Sequence, residues 1–483
     1  MTGVDNTIAQ SKYRRSPGER QHAGQPIELV LQSGGYGGRM VARQEGRVVF
    51  VQGGVPGETV RAELVVEKKS FAEARAVTVL TPSERRVAPP CIYFGENGSH
   101  RGAVPTGNDE PGERGACGGC QYQHLSYDAQ LDLKTRIVVD LMHRQARLPD
   151  VEVRPTVPSP APWRYRNRAR WIVNEDGVPC YHQAASDRLL PVRLCHIVQP
   201  LIGDVLGHLG DEAWRLPLRT LVAEITARTA VPWTEGDAER STPSLLLALH
   251  PRPGATRRDL RLLAGDLGVA IPALDGVVMA PRAEAPRASS SALWGAGYFD
   301  ARFAGYRFRL APLTFFQVNE PAAELLVDEV LDALGNLVGQ SVLDVYAGAG
   351  TFTLPIASRA AQVLALENDP LAIDDAQHSV RANGLDNVHV LPGDAEDELG
   401  GLPRHAAGAA VLDPPRAGVT ERVVEELARI EVPRLVYVSC DPAMLARDLR
   451  RFVARGYRVA SVQPVDLFPQ TFHIESVAVL SRM

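Results

Sequence analysis

The stretch SVLDVYAGAGTFTLPIA at residues 341–357 predicts a buried strand that turns sharply into a helix. The strand ends at Tyr346. Gly348 and Gly350 allow a tight turn because glycine adopts backbone conformations that side chains disfavour. The third glycine of a dinucleotide-binding fingerprint is missing, since Thr353 stands at its position. The loop therefore suits a cofactor that has no pyrophosphate.

Four further units of strand and loop follow toward the C-terminus. They read VLALE, VHVLPGD, AAVLDPP and LVYVSCDP, with helical stretches between them. This alternation predicts a parallel, doubly wound sheet, in which ligands bind at the carboxyl ends of the strands. Glu367 ends the second strand, where a carboxylate can accept hydrogen bonds from two ribose hydroxyls. Together with the glycine loop, Glu367 favours S-adenosylmethionine over NAD. A plain strand–helix turn with a solvated glutamate is the alternative.

A cysteine stands at the end of the last of these units. Cys440, in VSCDPAMLARDL (438–449), follows an apolar strand and precedes a helix. A helix N-terminus stabilises a thiolate, which can attack an electrophilic carbon. A small buried apolar role is the alternative for Cys440.

Two more strand ends carry charged residues. Asp413, in VLDPPRAG, ends the fourth strand, and Arg416 stands where enzymes that methylate base amines have an aromatic residue, which indicates another base atom. Glu475 lies in a terminal strand two residues after His473. Either side chain could be a general base, and a solvated surface position is the alternative for Glu475.

The cysteines at 91, 117, 120 and 195 form a candidate metal site. Cys117 and Cys120 make a CGGC knuckle, and Cys91 and Cys195 bring the number of thiols to four. Their spacing favours a structural zinc, with an iron–sulfur cluster as the alternative.

The N-terminal region is predicted to be all β after a polar, disordered tail at 1–25. The stretches IELVLQ, RVVFVQ, TVRAELVVEKK and EARAVTVL are short strand candidates separated by glycine-rich turns. They predict a small barrel of the OB type or another small β-domain. Residues 1–90 contain 13 Lys and Arg against 9 Asp and Glu, whereas the whole chain has a net charge of -5. A basic front on an acidic body is compatible with a module that faces phosphates.

A second basic feature is PWRYRNRARWIV at 162–173, in which Arg164, Arg166, Arg168 and Arg170 alternate with other residues. An extended chain would place four guanidinium groups on one face, where they could bind phosphates. A solvated edge strand is the alternative.

Composition and hydropathy predict a cytoplasmic protein. Hydrophobic residues make up 45% of the chain and charged residues 23%, as in ordinary globular proteins. No apolar run is long enough to cross a membrane, and the N-terminus lacks the apolar region of a signal peptide. No obligate protein partner is evident.

These motifs together resemble the RNA 5-methyluridine (uracil-5-)methyltransferase family, in its TRAM-domain, iron–sulfur branch that acts on 23S ribosomal RNA. The matching stretches, in order, are CGGCQYQH, YRNRARW, TFFQVN, DVYAGAGTF, LDPPR, VSCDPAMLARDL and FPQTFHIES. The resemblance implies a multidomain α/β protein. It would have an OB-like TRAM β-barrel at 26–85, a central α+β domain with an iron–sulfur cluster and an RNA-binding surface at 86–320, and a Rossmann-like class I methyltransferase domain at 321–483.

The resemblance also implies roles for individual residues. Cys440 would be the nucleophile and Glu475 the base. The S-adenosylmethionine pocket would be lined by Gln317, Tyr346, Glu367, Asp394 and Asp413. A 4Fe-4S cluster would be held by Cys91, Cys117, Cys120 and Cys195. This chain departs from many relatives at Ala347 and Thr351. It also has a long insert between Cys91 and Cys117, and Cys180 is the alternative to Cys91 as the remaining cluster ligand.

The expected reaction is methylation of carbon 5 of a uridine in RNA, after addition of Cys440 to carbon 6 and before removal of the carbon 5 proton by Glu475. Ribosomal RNA is favoured over tRNA as the substrate. A cytosine target, an inactive RNA-binding or redox-sensing protein, and a radical methylthiotransferase are less favoured by the sequence. The last of these enzymes would need a cysteine where Glu113 stands.

Overall fold

The computed structural model describes residues 26–95, 116–234, 242–281 and 290–483. The tail at 1–25, which the sequence predicts to be disordered, lies outside these ranges. Glu113 and most of the insert between Cys91 and Cys117 also lie outside them.

The N-terminal strands form one six-stranded sheet that closes on itself. The strands are β1 (Ile27–Val30), β2 (Ser33–Gly35), β3 (Arg39–Gln44), β4 (Arg47–Gln52), β5 (Thr59–Glu67) and β6 (Phe71–Thr81). Their order is β1-β5-β6-β4-β3-β2. Only Leu31 and Gln32 separate β1 from β2, so one bent segment pairs with β5 at one end and with β3 at the other. This closure, with β4 and β6 parallel, gives the small barrel that the strand spacing predicts.

The next segment connects the barrel to the C-terminal sheet. It contains helix α1 (Tyr127–Leu141), a π-helical turn (Met142–Ala146) and the short strand β7 (Glu152–Val153). Apolar residues of the barrel, of α1 and of the C-terminal sheet belong to one continuous core cluster. At the far end of the segment, β7 pairs with a C-terminal strand at Ser461 and Val462.

The central region is built on a seven-stranded sheet with three helices. The strands are β8 (Arg168–Val173), β9 (Pro179–His182), β10 (Leu189–Pro191), β11 (Val222–Ala230), β12 (Ser244–Pro251), β13 (Gly276–Met279) and β14 (Ser291–Gly295). The helices are α2 (Pro200–Leu209), α3 (Glu212–Leu221) and α4 (Arg257–Ala270). Their apolar faces share a separate core cluster with the sheet.

The prediction that four arginines line one face of a strand is wrong. Strand β8 begins only at Arg168, and Arg164 has a φ of 55°, which breaks the alternation of side chains. Arg166 lies before the strand in an isolated bridge to Val198. Arg170 forms an ion pair with Glu224 of the neighbouring strand β11. Arg166 and Arg170 therefore make contacts within the protein, and the four arginines do not form one phosphate-binding row.

The C-terminal region contains a hairpin followed by alternating strands and helices. The elements are β15 (Phe299–Phe303), β16 (Tyr306–Leu310), α5 (Glu320–Leu334), β17 (Ser341–Val345), α6 (Thr353–Ala357), β18 (Gln362–Glu367), α7 (Pro370–Ala382), β19 (Val388–Pro392), α8 (Ala395–Gly401), β20 (Ala409–Leu412), α9 (Glu421–Ile430), β21 (Arg434–Ser439), α10 (Pro442–Ala454), β22 (Tyr457–Val465) and β23 (Glu475–Arg482). Among the helices that the structure describes, none is long and apolar enough to cross a membrane.

The C-terminal sheet has the order β19-β18-β17-β20-β21-β23-β22-β7. Strands β17 to β21 are parallel, and β23 is antiparallel to both of its neighbours. The connection direction reverses at β17, which lies between β18 and β20. In open α/β sheets this switch point opens a crevice outside the carboxyl ends of the strands. The mixed α/β fold with N-terminal strands agrees with the prediction from the sequence.

Candidate active site

Cys440 lies at the carboxyl end of β21, one residue after the strand ends. Asp441 caps the helix that follows, because its Oδ1 accepts hydrogen bonds from the backbone N–H groups of Ala443 at 3.0 Å and Met444 at 3.1 Å. Pro442 occupies the first helical position, where its missing N–H costs nothing. The buried strand and the capped helix therefore present the thiol at a helix N-terminus, whose dipole favours a thiolate.

Glu475 lies beside Cys440 because of the register of β21 and β23. These strands are antiparallel, and Ser439 is opposite Ser476. The residue after Ser439 and the residue before Ser476 therefore lie on the same edge of the sheet. Glu475 is only 3% exposed. Burial raises the pKa of Glu475 well above its usual range, and the charge of Asp413 raises it further. A carboxylate with a raised pKa is a strong proton acceptor.

Arg416 supplies the positive charge of the site, a role that was not predicted from the sequence. Burial raises the pKa of the Cys440 thiol, and the charge of Glu475 raises it further. The Arg416 guanidinium opposes both effects, because it lowers the pKa of Cys440 and that of Glu475. The sequence carried one usable signal, since Arg416 directly follows LDPP at the same sheet edge as Cys440.

His473 is the weaker of the two candidate bases. Its ring nitrogens lie 3.4 Å from Nη2 of Arg416. Burial lowers the pKa of His473 well below its ordinary value, and the neighbouring Arg416 lowers it further. The ring is therefore neutral and a poor proton acceptor, which leaves Glu475 as the better base.

A buried carboxylate fixes the loop that carries Arg416. Asp448 Oδ2 accepts hydrogen bonds from the Val419 N–H at 3.0 Å and from the Tyr437 hydroxyl at 2.9 Å. The loop approaches it so closely that a Cβ at Gly418 would lie 2.2 Å from the same oxygen. Gly418 also has a φ of 75°, so its backbone conformation and its surroundings both require glycine.

The glycine loop after β17 is held by Glu367 from the neighbouring strand. Glu367 Oε2 accepts a hydrogen bond from the Gly348 N–H at 2.8 Å, and Oε1 accepts one from the Asp369 N–H at 2.8 Å. Tyr346 has a φ of 70°, which is strained for a residue with a side chain. Such strain persists where the surrounding structure over-determines the backbone, as at ligand sites.

Three carboxylates line the sheet edge at this crevice. Glu367, Asp394 and Asp413 follow or end β18, β19 and β20, and Asn368 Nδ2 donates to Asp394 Oδ1 at 2.7 Å. Burial raises the pKa of Asp413 to about 7, and the charges of Asp344 and Glu367 raise it further. Such a set repels a pyrophosphate and fits the hydroxyls, amino group and sulfonium charge of S-adenosylmethionine.

Gln317 lies in the loop before α5 and is 5% exposed. Its backbone oxygen accepts a hydrogen bond from Asn167 Nδ2 at 3.2 Å. The preceding residue, Phe316, shares a core cluster with Ala349 and Phe352 of the glycine loop. The place of Gln317 beside Tyr346, Glu367, Asp394 and Asp413 in a cofactor pocket stays a prediction.

The four candidate metal ligands are electrostatic neighbours. Burial raises the pKa of Cys117 to about 12, and the charges of Cys195 and Cys91 raise it further. Burial also raises the pKa of Cys120, and the charges of Cys195, Cys117 and Cys91 raise it further. Cys180 is buried in β9, where its thiol donates to the Val178 carbonyl at 3.3 Å.

The donor chemistry of these thiols fits a zinc or iron–sulfur site. However, within the described ranges no group of three or more His, Cys, Asp or Glu side chains is arranged to hold a metal ion. The presence of a metal or cluster at these thiols therefore stays a prediction.

Comparison with known proteins gives the family. A family model described as tRNA (Uracil-5-)-methyltransferase matches residues 302–483. An uncharacterized RNA methyltransferase of Halalkalibacterium halodurans is 33% identical, over 94% of this chain and 96% of its own. The 23S rRNA (uracil(1939)-C(5))-methyltransferase RlmD of Alkalilimnicola ehrlichii is 32% identical over 98% of both chains.

A solved structure supports the fold. The tRNA (uracil-54, C5)-methyltransferase of Pyrococcus abyssi, in complex with S-adenosyl-L-homocysteine, superposes with a TM-score of 0.67 at 21% identity. The alignment covers 94% of this chain and all of that one. With two relatives above 30% identity along nearly its whole length, the chain belongs to the RNA uracil-5-methyltransferase family and is an S-adenosylmethionine-dependent RNA methyltransferase.

Proposed function

We propose that this enzyme methylates carbon 5 of a uridine in 23S ribosomal RNA through a covalent bond between Cys440 and carbon 6 of the base. The observation that carries this proposal is the register of β21 and β23, which sets Cys440 beside Glu475 at the edge where the cofactor carboxylates lie. A nucleophile, a base and a cofactor crevice then meet at one place.

The chemistry of uracil explains why these groups are needed together. Carbon 5 is a weak nucleophile until the Cys440 thiolate adds to carbon 6, which moves an electron pair toward the carbon 4 oxygen as an enolate. S-adenosylmethionine supplies the methyl group that carbon 5 then accepts. Glu475 removes the remaining proton from carbon 5, the double bond between carbons 5 and 6 re-forms, and Cys440 leaves as a thiolate.

The chain's own charges assist two of these steps. Arg416 favours the thiolate of Cys440 before addition and again when the sulfur leaves, because it is the opposite charge that faces the thiol. The raised pKa of Glu475 makes the proton transfer from carbon 5 more favourable. Carbon 5 must also reach the sheet edge, so a paired or stacked target base has to be turned out of its helix.

The preference for ribosomal RNA rests on the relatives. The Alkalilimnicola ehrlichii enzyme named for 23S rRNA is 32% identical to this chain, whereas the Pyrococcus abyssi enzyme named for tRNA is 21% identical. The same chemistry on tRNA is therefore the second candidate. Both substrates are consistent with the predicted cytoplasmic location.

Mapping of 5-methyluridine tests the proposal directly. In a strain that lacks this protein, one 5-methyluridine of 23S ribosomal RNA should be absent by mass spectrometry of RNA fragments, and the wild-type gene should restore it. Loss of the mark from tRNA alone would select the second candidate. Unchanged 5-methyluridine in both RNAs would refute the proposed reaction.

We further propose that Cys91, Cys117, Cys120 and Cys195 hold a 4Fe-4S cluster. A zinc ion needs four thiolates within about 2.3 Å of one point. In an iron–sulfur cluster the cysteines bind different iron atoms, so their sulfurs lie further apart. The mutual electrostatic effects of Cys91, Cys117, Cys120 and Cys195 support a shared site, and the resemblance of the motifs favours the cluster over zinc. The residues that affect the pKa of Cys180 are Asn174 and Asp176 of its own hairpin, whereas Cys91 is affected by Cys195. This difference supports Cys91 as the fourth ligand.

A further inference from the structure

The 466–474 loop sets the position of Glu475, because it closes the hairpin of β22 and β23. Val465 is the last residue of β22 and Glu475 is the first of β23, and the two are paired across the hairpin. The loop also carries His473, whose ring nitrogens lie 3.4 Å from Nη2 of Arg416. A shift of this loop would therefore move both Glu475 and the ring that contacts Arg416.

Helix α1 holds this loop through a reciprocal pair of glutamine side chains. Gln130 Oε1 accepts a hydrogen bond from the Gln470 N–H at 2.9 Å, and Gln130 Nε2 donates to Gln470 Oε1 at 3.0 Å. Both residues are buried, with 1% of Gln130 and 2% of Gln470 exposed. Because a buried amide without a partner is costly, two amides that satisfy each other fix the helix and the loop in one arrangement.

The other polar atoms of Gln470 are hydrogen-bonded as well. Its carbonyl oxygen accepts from the N–H groups of Gln121 and Tyr122, each at 2.9 Å, and its Nε2 donates to the Pro162 carbonyl at 3.3 Å. Gln470 has a φ of 68°, in the left-handed region that residues with side chains rarely adopt. Such a conformation persists only where the surroundings determine it, and Gln130 is one of the residues that determine it here.

A lysine on the same face of α1 holds the beginning of the loop. Lys134 lies four residues after Gln130, so the two side chains are neighbours on the helix surface. Lys134 Nζ donates to Asp466 Oδ1 at 2.6 Å and to the Phe468 carbonyl at 3.1 Å, and both charged side chains are 0% exposed. Breaking a buried ion pair would leave an uncompensated charge, so this contact anchors the loop to α1.

Internal hydrogen bonds connect Gln470 to the start of β23. Thr471 Oγ1 donates to the Phe468 carbonyl at 2.8 Å and accepts from the His473 N–H at 3.2 Å. These bonds close the turn that follows Gln470, so a displacement of Gln470 is carried on to Glu475.

We propose that Gln130 is a positioning residue of the active site, which acts through Gln470 to hold Glu475 where it can remove the carbon 5 proton. The proposal rests on the role proposed above for Glu475 as the base. It gives α1, a helix outside the C-terminal region, a part in the reaction, although Gln130 and Gln470 are 340 residues apart in the chain.

The expected effect is confined to the step in which Glu475 acts. Addition of Cys440 and methyl transfer precede removal of the proton, so a displaced Glu475 should leave both nearly unchanged. Release of the RNA should slow, because the sulfur leaves only once the proton has gone to Glu475. A methylated protein–RNA adduct should therefore accumulate.

Gln130→Met tests this effect, since methionine has a similar length but cannot exchange hydrogen bonds with Gln470. With the full-length enzyme and labelled RNA that the wild type methylates, a denaturing gel should show about ten times more covalent protein–RNA band than wild type. Methyl transfer in a single turnover should stay close to the wild-type rate. Gln470→Met removes only the side-chain half of the pair and should give the same effect to a smaller degree.

Hydrogen exchange of the free protein is a second measurement, and it needs no RNA. Mass spectrometry of peptides that cover 466–474 should show about tenfold faster exchange of the loop amides in Gln130→Met, because the loop opens more easily. Peptides from β21 should exchange as in wild type.

Tyr457→Phe is the matched control, because it removes a buried hydroxyl at the other end of the same hairpin. The Tyr457 hydroxyl donates to the Leu427 carbonyl at 3.2 Å and to the Val432 carbonyl at 3.0 Å, and the residue is 0% exposed. This variant should be destabilised, yet it should show wild-type exchange of the 466–474 loop and no excess of the covalent band.

Three outcomes would overturn the proposal: wild-type loop exchange in Gln130→Met, methyl transfer and release slowed to the same extent in that variant, or an equal excess of covalent band in Tyr457→Phe. Failure of the proposed function is distinct from these. In that case the wild-type enzyme itself would form no 5-methyluridine, or Glu475→Gln would turn over normally.

Discussion

In the proposed mechanism, Cys440 and Glu475 do different chemical work although they are neighbours. The thiolate is needed before any carbon–carbon bond can form, whereas the carboxylate is needed only afterwards. Substitutions at the two positions should therefore stop the reaction at different stages, which a structural role for either residue would not produce.

Cys440→Ala should show neither methyl transfer nor a covalent complex with RNA, because the proposed nucleophile is missing and carbon 5 is not activated. Glu475→Gln should still add to the base and accept the methyl group, but the carbon 5 proton has no acceptor and the sulfur cannot leave. Denaturing gel electrophoresis with labelled RNA should then show a slow-migrating protein–RNA band that is absent from Cys440→Ala.

Cys180→Ala is the matched control, since Cys180 lies in β9 of the central sheet. It should turn over normally and release free methylated RNA. Full activity in Glu475→Gln would remove the role of the base. Activity in Cys440→Ala would remove the covalent mechanism.

At the scale of elements, the N-terminal barrel depends on one buried carboxylate. The Glu58 side chain is 0% exposed, and Arg86 binds it through Nε at 2.6 Å and Nη2 at 2.8 Å. The Val55 N–H donates to the same carboxylate at 2.8 Å. Burial alone would raise the pKa of Glu58, but the hydrogen bonds from Arg86, Ser83 and Val55 outweigh it and lower the pKa.

Glu58→Gln should lower the free energy of unfolding at pH 7 by about 2 kcal/mol, the range for hydrogen bonds to a charged group. Because the folded pKa lies below the unfolded value of 4.5, this contribution is complete above pH 4.5 and is lost as the pH falls through the folded pKa. Thermal melts of wild type and variant should therefore begin to converge below pH 4.5 and coincide once the pH lies below the folded pKa.

Glu63→Gln provides the comparison on the outer face of the same barrel. Glu63 pairs with Arg75 at 2.9 Å, but its side chain is 44% exposed. Exposed ion pairs contribute about 0–1 kcal/mol, so this variant should melt close to wild type at every pH. An equal loss in both variants would show that burial of Glu58 is not what makes its ion pair important.

At the scale of the whole molecule, the cysteine segment lies between the barrel and the loop that precedes Glu475. His124 contacts the Gly54 carbonyl of the barrel at 2.7 Å, and the N–H groups of Gln121 and Tyr122 both donate to the Gln470 carbonyl at 2.9 Å. A group bound by Cys117 and Cys120 would thus brace the loop that leads to Phe472 and Glu475.

Protein purified without oxygen should contain four iron atoms and four labile sulfides per chain if the proposed cluster is present. Cys117→Ser should lose the iron and lower the melting temperature, whereas Cys180→Ser should retain the iron. Stoichiometric zinc without broad visible absorbance would refute the cluster. If the Cys91→Ser variant kept the cluster, the assignment of Cys91 as the fourth ligand would be wrong.

The sequence alone was sufficient for those features that depend on local pattern. Alternation of apolar strands and helices predicted the C-terminal sheet, because burial on both faces of a parallel sheet demands apolar runs. Gly348 and Gly350 marked the turn after β17, since both need positive φ. The resemblance of the motifs supplied the family, which the relatives confirm.

Only the tertiary structure decided which distant side chains meet. The alternation of arginines at 164–170 predicted a phosphate-binding face, yet the φ of Arg164 and the ion pair between Arg170 and Glu224 changed that outcome. The effect of Arg416 on Cys440 and Glu475 was not predicted, although its position directly after LDPP is a local signal. The ring contact between Tyr36 of the barrel and Phe472 has no such signal. Periodicity reports the face on which a residue lies, whereas these contacts depend on how separate sheets and the barrel pack together.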